Sequence, residues 1–140
     1  HRTKRSDLSF VKSATETIAH FVRKGSLVIL ESTVPPLTTK NVVGKIIGQK
    51  ARLRAPVDYL LAHCPERVLP GNTLHEIINN SRIIGGVGKA STSAAAEVYK
   101  TFVKGTIHPT SANVAEMVKL VENASRDAQI AFANELSMVR

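Results

Sequence analysis

Ala115-Glu116-Met117-Val118-Lys119-Leu120-Val121-Glu122-Asn123-Ala124-Ser125-Arg126-Asp127-Ala128-Gln129-Ile130-Ala131-Phe132-Ala133-Asn134-Glu135-Leu136 is the stretch around which the rest of the chain is organised. It holds no glycine or proline and few β-branched residues, so nothing interrupts an i to i−4 hydrogen-bond ladder, and one long helix is predicted. Met117, Val121, Ala124, Ala128 and Phe132 recur at three- and four-residue steps and gather on one apolar stripe. Such a stripe is core or partner contact. Lys119, Asn123 and Arg126 follow at i, i+4 and i+7, so at ~100° per residue they share a narrow arc on the other side. Three tips so placed can reach one ligand together, or belong to an ordinary solvated face.

Upstream of this helix, Thr106-Ile107 reads as a short extended piece before Pro109, and residues 91–103 as a helix packed through Ala94, Ala95, Ala96, Val98 and Phe102. Ile83-Ile84 is a short strand ending at Gly85-Gly86, preceded by a helical turn over 73–79, a loop over 64–71 and a strand over 57–63. Thr38 or Thr39 caps a helix carrying Val42, Val43, Ile46 and Ile47. Leu27-Val28-Ile29-Leu30 is a continuous apolar run, the mark of a strand buried on both faces. A first helix over 7–23 carries Leu8, Val11, Ala14, Ile18, Phe21 and Val22, with Ser6 or Asp7 as its cap and Gly25 as its stop. Strands alternating with helices imply parallel strands joined by right-handed crossovers, an α/β sheet covered on both faces. Ligands of such sheets sit beyond the strand carboxyl ends, which directs attention to the loops over 32–36 and 64–71.

With 140 residues, 43% hydrophobic and 21% charged, the chain has room for one core, or for one compact domain plus a piece of another. It opens at His1 rather than methionine, as a cut piece or a processed product would. No apolar run approaches the ~18–20 residues that span a bilayer, and no apolar core follows the basic 1–5 segment, so neither membrane nor export signal is expected. One cysteine, Cys64, allows no internal disulfide and suits a reducing cytoplasm. The net charge of +8 points to an anionic partner such as a diphosphate. A nucleic-acid partner is not expected, because the basic residues are scattered, aromatics are 4%, and neither a stacking platform nor zinc-finger spacing is present.

Cys64 stands before Pro65 at the end of an apolar run without an evident activating base, and is read as an inert thiol. Ile83-Ile84-Gly85-Gly86-Val87-Gly88-Lys89-Ala90 imitates a phosphate-binding loop but lacks its first glycine and its final hydroxyl. No G-x-G-x-x-G occurs in the chain. The histidines show no ligand spacing with Cys64, so no metal is expected.

Three segments carry a resemblance. Lys119-Leu120-Val121-Glu122-Asn123 through Arg126-Asp127, continued by Ile130-Ala131-Phe132-Ala133-Asn134-Glu135-Leu136, resembles the central helix of the UDP-glucose/GDP-mannose dehydrogenase family, most of all in its UDP-N-acetylmannosamine branch. Ser32-Thr33-Val34-Pro35-Pro36 resembles that family's S-T-V-P-P-G-T-T loop, and Pro65-Glu66-Arg67-Val68 its P-E-R-V loop. The chain departs from the pattern at Leu37, where relatives carry glycine, and at Ser125, where a large aromatic is common.

The resemblance implies a Rossmann-like parallel sheet with flanking helices: residues 1–108 as the latter portion of an NAD-binding domain, and 109–140 as the start of a central dimerisation domain. It implies NAD as cofactor and a UDP-sugar as substrate, its C6 hydroxyl oxidised to a carboxylate for surface polysaccharide synthesis. That reaction passes through an aldehyde, a thiohemiacetal on a cysteine and a thioester; the family's G-G-x-C motif is absent from these residues. Carried over by position, Lys119 and Glu66 take catalytic roles, Thr33 lies against the cofactor, and Arg67, Val68, Asn123 and Arg126 hold the nucleotide sugar. A homodimer through the long helix is implied as well. Glucose- or mannose-specific relatives remain alternatives, as do a purely oligomerising element and a basic nucleic-acid-binding module.

Overall fold

The computed structural model describes residues 6–68 and 71–139; the basic segment 1–5 and, within the expected 64–71 loop, Leu69 and Pro70 lie outside the described residues. In chain order the elements are α1 (Ser9–Ala19), β1 (Leu27–Leu30), a π-helical turn (Thr39–Val43) running into α2 (Gly44–Ala51), β2 (Leu60–His63), α3 (Thr73–Asn79), β3 (Arg82–Gly86), α4 (Lys89–Lys100), β4 (Ile107–Ser111) and α5 (Ala112–Met138).

The strands form one sheet in the order β1-β2-β3-β4. β1 pairs parallel to β2, Leu27 opposite Leu60 through Leu30 opposite His63, and β3 pairs parallel to β4, Arg82 opposite Ile107 through Gly86 opposite Ser111. The middle pair corrects the expectation of a wholly parallel sheet: β2 and β3 run antiparallel, Ala62 opposite Gly86 and His63 opposite Gly85. The reason lies in the connection. Among the described residues between β2 and β3 only the seven of α3 are helical, a short connection compared with the crossover of a dozen or more residues that usually returns a parallel strand.

β1 alternates as a doubly covered strand should. Leu27 and Ile29 join Ala62, Cys64, Ile84, Ala95, Ala96, Tyr99 and Val103 beneath α4. Val28 and Leu30 join Ala19, Val22, Val43, Ile47, Tyr59 and Leu61 beneath α1 and α2. All four β1 residues are only half-buried, because β1 is an edge of the sheet.

Several helix faces differ from the sequence reading. The cap of α1 is Leu8, with no side-chain cap bond, and not Ser6 or Asp7 as expected; Asp7 accepts the Ser9 N–H at 2.9 Å from one residue further out, in a local turn. The buried side of α1, however, runs through Thr15, Ala19 and Val22, while Phe21 and Ile18 are exposed. In α4 the packed residues are Ser91, Ala95, Ala96 and Tyr99, and Val98 and Phe102 stay largely outside. The strand expected over 57–63 begins only at Leu60, since 55–58 is spent on a turn in which Asp58 accepts the Arg54 N–H at 2.9 Å. β4 is longer than expected and tolerates Pro109 because, as an edge strand, it has a side that needs no donor.

α5 is the long helix anticipated, 27 residues, or about 40 Å at ~1.5 Å per residue. Ser111 caps it, accepting the Val114 N–H at 3.5 Å. Its entry is tight: a Cβ on Gly85 would stand 2.2 Å from the Ser111 carbonyl oxygen and 2.8 Å from the Ala112 nitrogen. Only its first turns are buried, through Ala112, Ala115 and Glu116. The apolar stripe of Met117, Val121 and Phe132 is therefore not core of this chain; Val121 is 57% exposed and Phe132 66%. Among the described residues no helix is long and apolar enough to cross a membrane.

Candidate active site

The carboxyl ends of β1 and β2 lie side by side, joined beyond the last ladder pair by the Glu66 N–H donating to the Glu31 carbonyl at 3.1 Å. Two loops start there. Thr33 and Ser32, in the first, are exposed, and neither hydroxyl is committed to a hydrogen bond among the described residues.

The first loop is bound to α5 by Glu116, a residue the sequence reading passed over. Its carboxylate is 1% exposed and accepts the Leu37 N–H at 2.6 Å, the Thr39 N–H at 2.7 Å and the Thr39 hydroxyl at 2.5 Å. Thr39 thus serves Glu116 instead of capping the helix that follows, and Thr38 bonds back to the Pro35 carbonyl. Leu37 takes φ +71°, the left-handed conformation itself, so the turn is kept without a glycine. Its side chain is largely exposed, against Pro36, Val114, Met117 and Val121 in an apolar hollow of about 560 Å³.

The second loop meets α5 through Arg67, which donates to Glu122 at 2.5 Å, each side chain about one third exposed. Beside this pair opens a groove of about 810 Å³, lined by Arg67, Val68, Glu76, Asn80, Lys119 and Arg126 among others. Four of the expected site residues, Arg67, Val68, Lys119 and Arg126, are brought together here. Asn123, Glu66 and Thr33 do not line it; Asn123 is turned to solvent one step round the helix.

Glu66 sits just above β2 and accepts three bonds on one oxygen, from the N–H of Arg67 at 2.7 Å, the N–H of Val68 at 3.0 Å and the Arg82 guanidinium at 3.0 Å. Partial burial pushes its carboxyl upward, but the Arg67 N–H, the guanidinium and the Val68 N–H outweigh it and hold the group below the ordinary carboxylate range. Such a carboxylate is a better acceptor than proton reservoir at neutral pH. Arg82 itself was visible in the sequence only as a charge opening an apolar run.

Cys64 is fully buried, and burial pushes its thiol up to about 11 against the opposing Tyr99 hydroxyl and Arg82 charge. It is the free, buried thiol expected. Tyr99 donates to Glu31 and is itself pushed upward, first by burial and then by that bond. Among the described residues no group of histidine, cysteine and carboxylate side chains could hold a metal.

Residues 1–103 match the family model described as UDP-glucose/GDP-mannose dehydrogenase family, NAD binding domain. The chain belongs to this family. It is 49% identical to the UDP-N-acetyl-D-mannosamine dehydrogenase of Methanococcus maripaludis over 98% of this chain and 30% of that protein. The structure of the UDP-D-ManNAc dehydrogenase from Pyrococcus horikoshii is similar at a TM-score of 0.92 and 47% identity, over 95% of this chain and 32% of that one. An NDP-N-acetyl-D-galactosaminuronic acid dehydrogenase from Methanosarcina mazei gives 0.87 and 39%, over 94% and 28%. The chain thus spans about a third of the length of the dehydrogenases it matches. NAD fits the site at one end: two uncommitted hydroxyls stand exposed at the carboxyl end of a sheet strand, where dinucleotides of such sheets lie.

Proposed function

We propose that this chain is the latter portion of an NAD-binding domain, residues 1–108, and the start of a central helical domain, residues 109–140, in an NAD-dependent nucleotide-sugar 6-dehydrogenase. β4 runs across that border. The substrate we favour is UDP-N-acetylmannosamine, oxidised at C6 to a carboxylate, as the names of five relatives at 46–49% identity suggest, although a relative at 46% is named an NDP-N-acetyl-D-galactosaminuronic acid dehydrogenase. The observation that carries the reading is the meeting of Lys119, Arg126 and Arg67 in one groove at the carboxyl ends of the strands, where three cations against the carboxylates of Glu76 and Glu122 leave a positive excess suited to a nucleoside diphosphate.

NAD, when bound, supplies the hydride acceptor. Thr33 lies against its nicotinamide end and helps to place a water. Lys119, beside the oxidised carbon, stabilises the oxyanion that develops there, a contribution of roughly 3 kcal/mol per good donor in comparable sites. Glu66 orients water or a hydroxyl. Arg67, Val68, Asn123 and Arg126 hold the sugar nucleotide. The exposed stripe through Met117, Val121 and Phe132 supports a second copy of the helix as partner, hence a homodimer.

The test is NADH formation at 340 nm by the complete coding region that carries this chain. UDP-N-acetylmannosamine should be preferred, Lys119→Ala should lower kcat at least roughly 100-fold, and Arg126→Ala should raise KM roughly 10-fold or more. The 140-residue chain alone should form no NADH. Absence of NADH with UDP-N-acetylmannosamine, UDP-glucose and GDP-mannose alike would sink the reading.

A further inference from the structure

Arg82 opens β3 with a side chain only 2% exposed. One guanidinium nitrogen donates to Glu66 Oε1 at 3.0 Å and another reaches the Ile77 carbonyl at 3.4 Å, while Nε has no partner among the described residues. Burying a guanidinium is costly, and a strand that needed only packing there would carry an apolar residue. The cost therefore calls for an explanation beyond the fold.

Glu66 supplies one. Its bonds to the N–H groups of Arg67 and Val68 are local, made within the loop that carries it, and would travel with that loop. The Arg82 bond is the one that ties the carboxylate to the sheet. All three fall on Oε1; Oε2 accepts nothing from the described residues, and the side chain is 45% exposed.

We propose that Arg82 is a positioning residue: it grips Glu66 by one oxygen, so that the other stands as a fixed acceptor for a water or a ligand hydroxyl at the carboxyl end of β2. This rests on the reading of Glu66 as an active-site carboxylate. The surrounding charges leave Arg82 its natural counter-ion. Arg67 is taken by Glu122, Lys119, Arg126 and Glu76 belong to the adjoining groove, Cys64 beneath remains a thiol, and the Glu31 carboxylate is bound by Tyr99.

The test is a carboxyl-carbon NMR titration of the 140-residue chain, which needs neither NAD nor a nucleotide sugar. In the wild type the Glu66 midpoint should lie below the ordinary 4.5. Arg82→Met keeps the buried volume apolar and should raise the midpoint by roughly one pH unit, with Arg82→Lys recovering part of it. An arginine that only fills volume, without holding the carboxylate in solution, would change the melting temperature and leave this midpoint alone. An unmoved midpoint in folded Arg82→Met overturns the proposal. Should that variant not fold, the side-chain nitrogens of Arg82 in the wild type should titrate with the midpoint of Glu66, and signals flat across that range overturn it equally. Both readouts stand if the complete protein lacks dehydrogenase activity, and both can fail while that activity is present.

Discussion

The buried carboxylate of Glu116 accepts the backbone N–H of Thr39 at 2.7 Å, joining residues 77 positions apart in the chain. The same group holds the Leu37 N–H and the Thr39 hydroxyl, so the loop that carries Thr33 is fixed to the helix that carries Lys119, one turn further on. A glutamine there turns an amide NH₂ towards donors and leaves at least one backbone N–H unpaired. Glu116→Gln should cost about 2–4 kcal/mol of stability in urea unfolding. Hydrogen exchange should accelerate first at Leu37 and Thr39; unchanged protection at those two amides would count against the clasp.

Leu37 holds φ +71° with no need of its own side chain in the core. A left-handed leucine costs roughly 1–2 kcal/mol, of which the extra freedom of an unfolded glycine returns about 0.4–1. Leu37→Gly should therefore stabilise the chain by about 0.5–1 kcal/mol, and Leu37→Val should destabilise it. Equal unfolding midpoints for all three proteins would show that the turn relaxes freely.

His63 is fully buried, and neither ring nitrogen has a hydrogen-bond partner among the described residues. Burial pushes its imidazole below the ordinary 6.5, opposed by the Glu116 charge and the neighbouring Leu30 backbone. The folded state then binds fewer protons than the unfolded one, so stability is full above pH 6.5 and falls as pH drops below it. Unfolding free energies measured between pH 7.5 and 5 should decline in the wild type, and less steeply in His63→Leu. Identical slopes would assign the decline to other groups.

Cys64 should resist alkylation. Its thiol is pushed up to about 11 and has no exposed surface, so labelling by iodoacetamide at neutral pH should be at least roughly 100-fold slower in the native than in the urea-unfolded chain. Comparable rates would mean that the end of β2 opens readily.

Local signals in the sequence were enough for the long helix, for the β1 run at Leu27–Leu30 and for the buried thiol, because each is decided by near neighbours: breakers, apolar periodicity, a proline next door. The antiparallel turn of β3 was hidden, since strand direction depends on where the 64–81 connection lies in space. Glu116 was hidden for a similar reason. Three residues before Lys119, it reads as one more charge on a polar face, and its three donors come from a loop far back in the chain. Spacing puts Lys119, Asn123 and Arg126 on one arc but does not locate the groove, which lies to one side of it and is lined by Lys119 and Arg126 and not by Asn123.

Gly85 carries a wider consequence. With the Ser111 carbonyl 2.2 Å from where a methyl would sit, the seat from which α5 departs tolerates hydrogen and nothing larger. Any side chain there would swing the helix off its bearing, and over a shaft of about 40 Å a few degrees at the root become several ångströms at the tip. The aim of every group along that shaft, Lys119 and Arg126 included, is therefore set by a residue with no side chain at all.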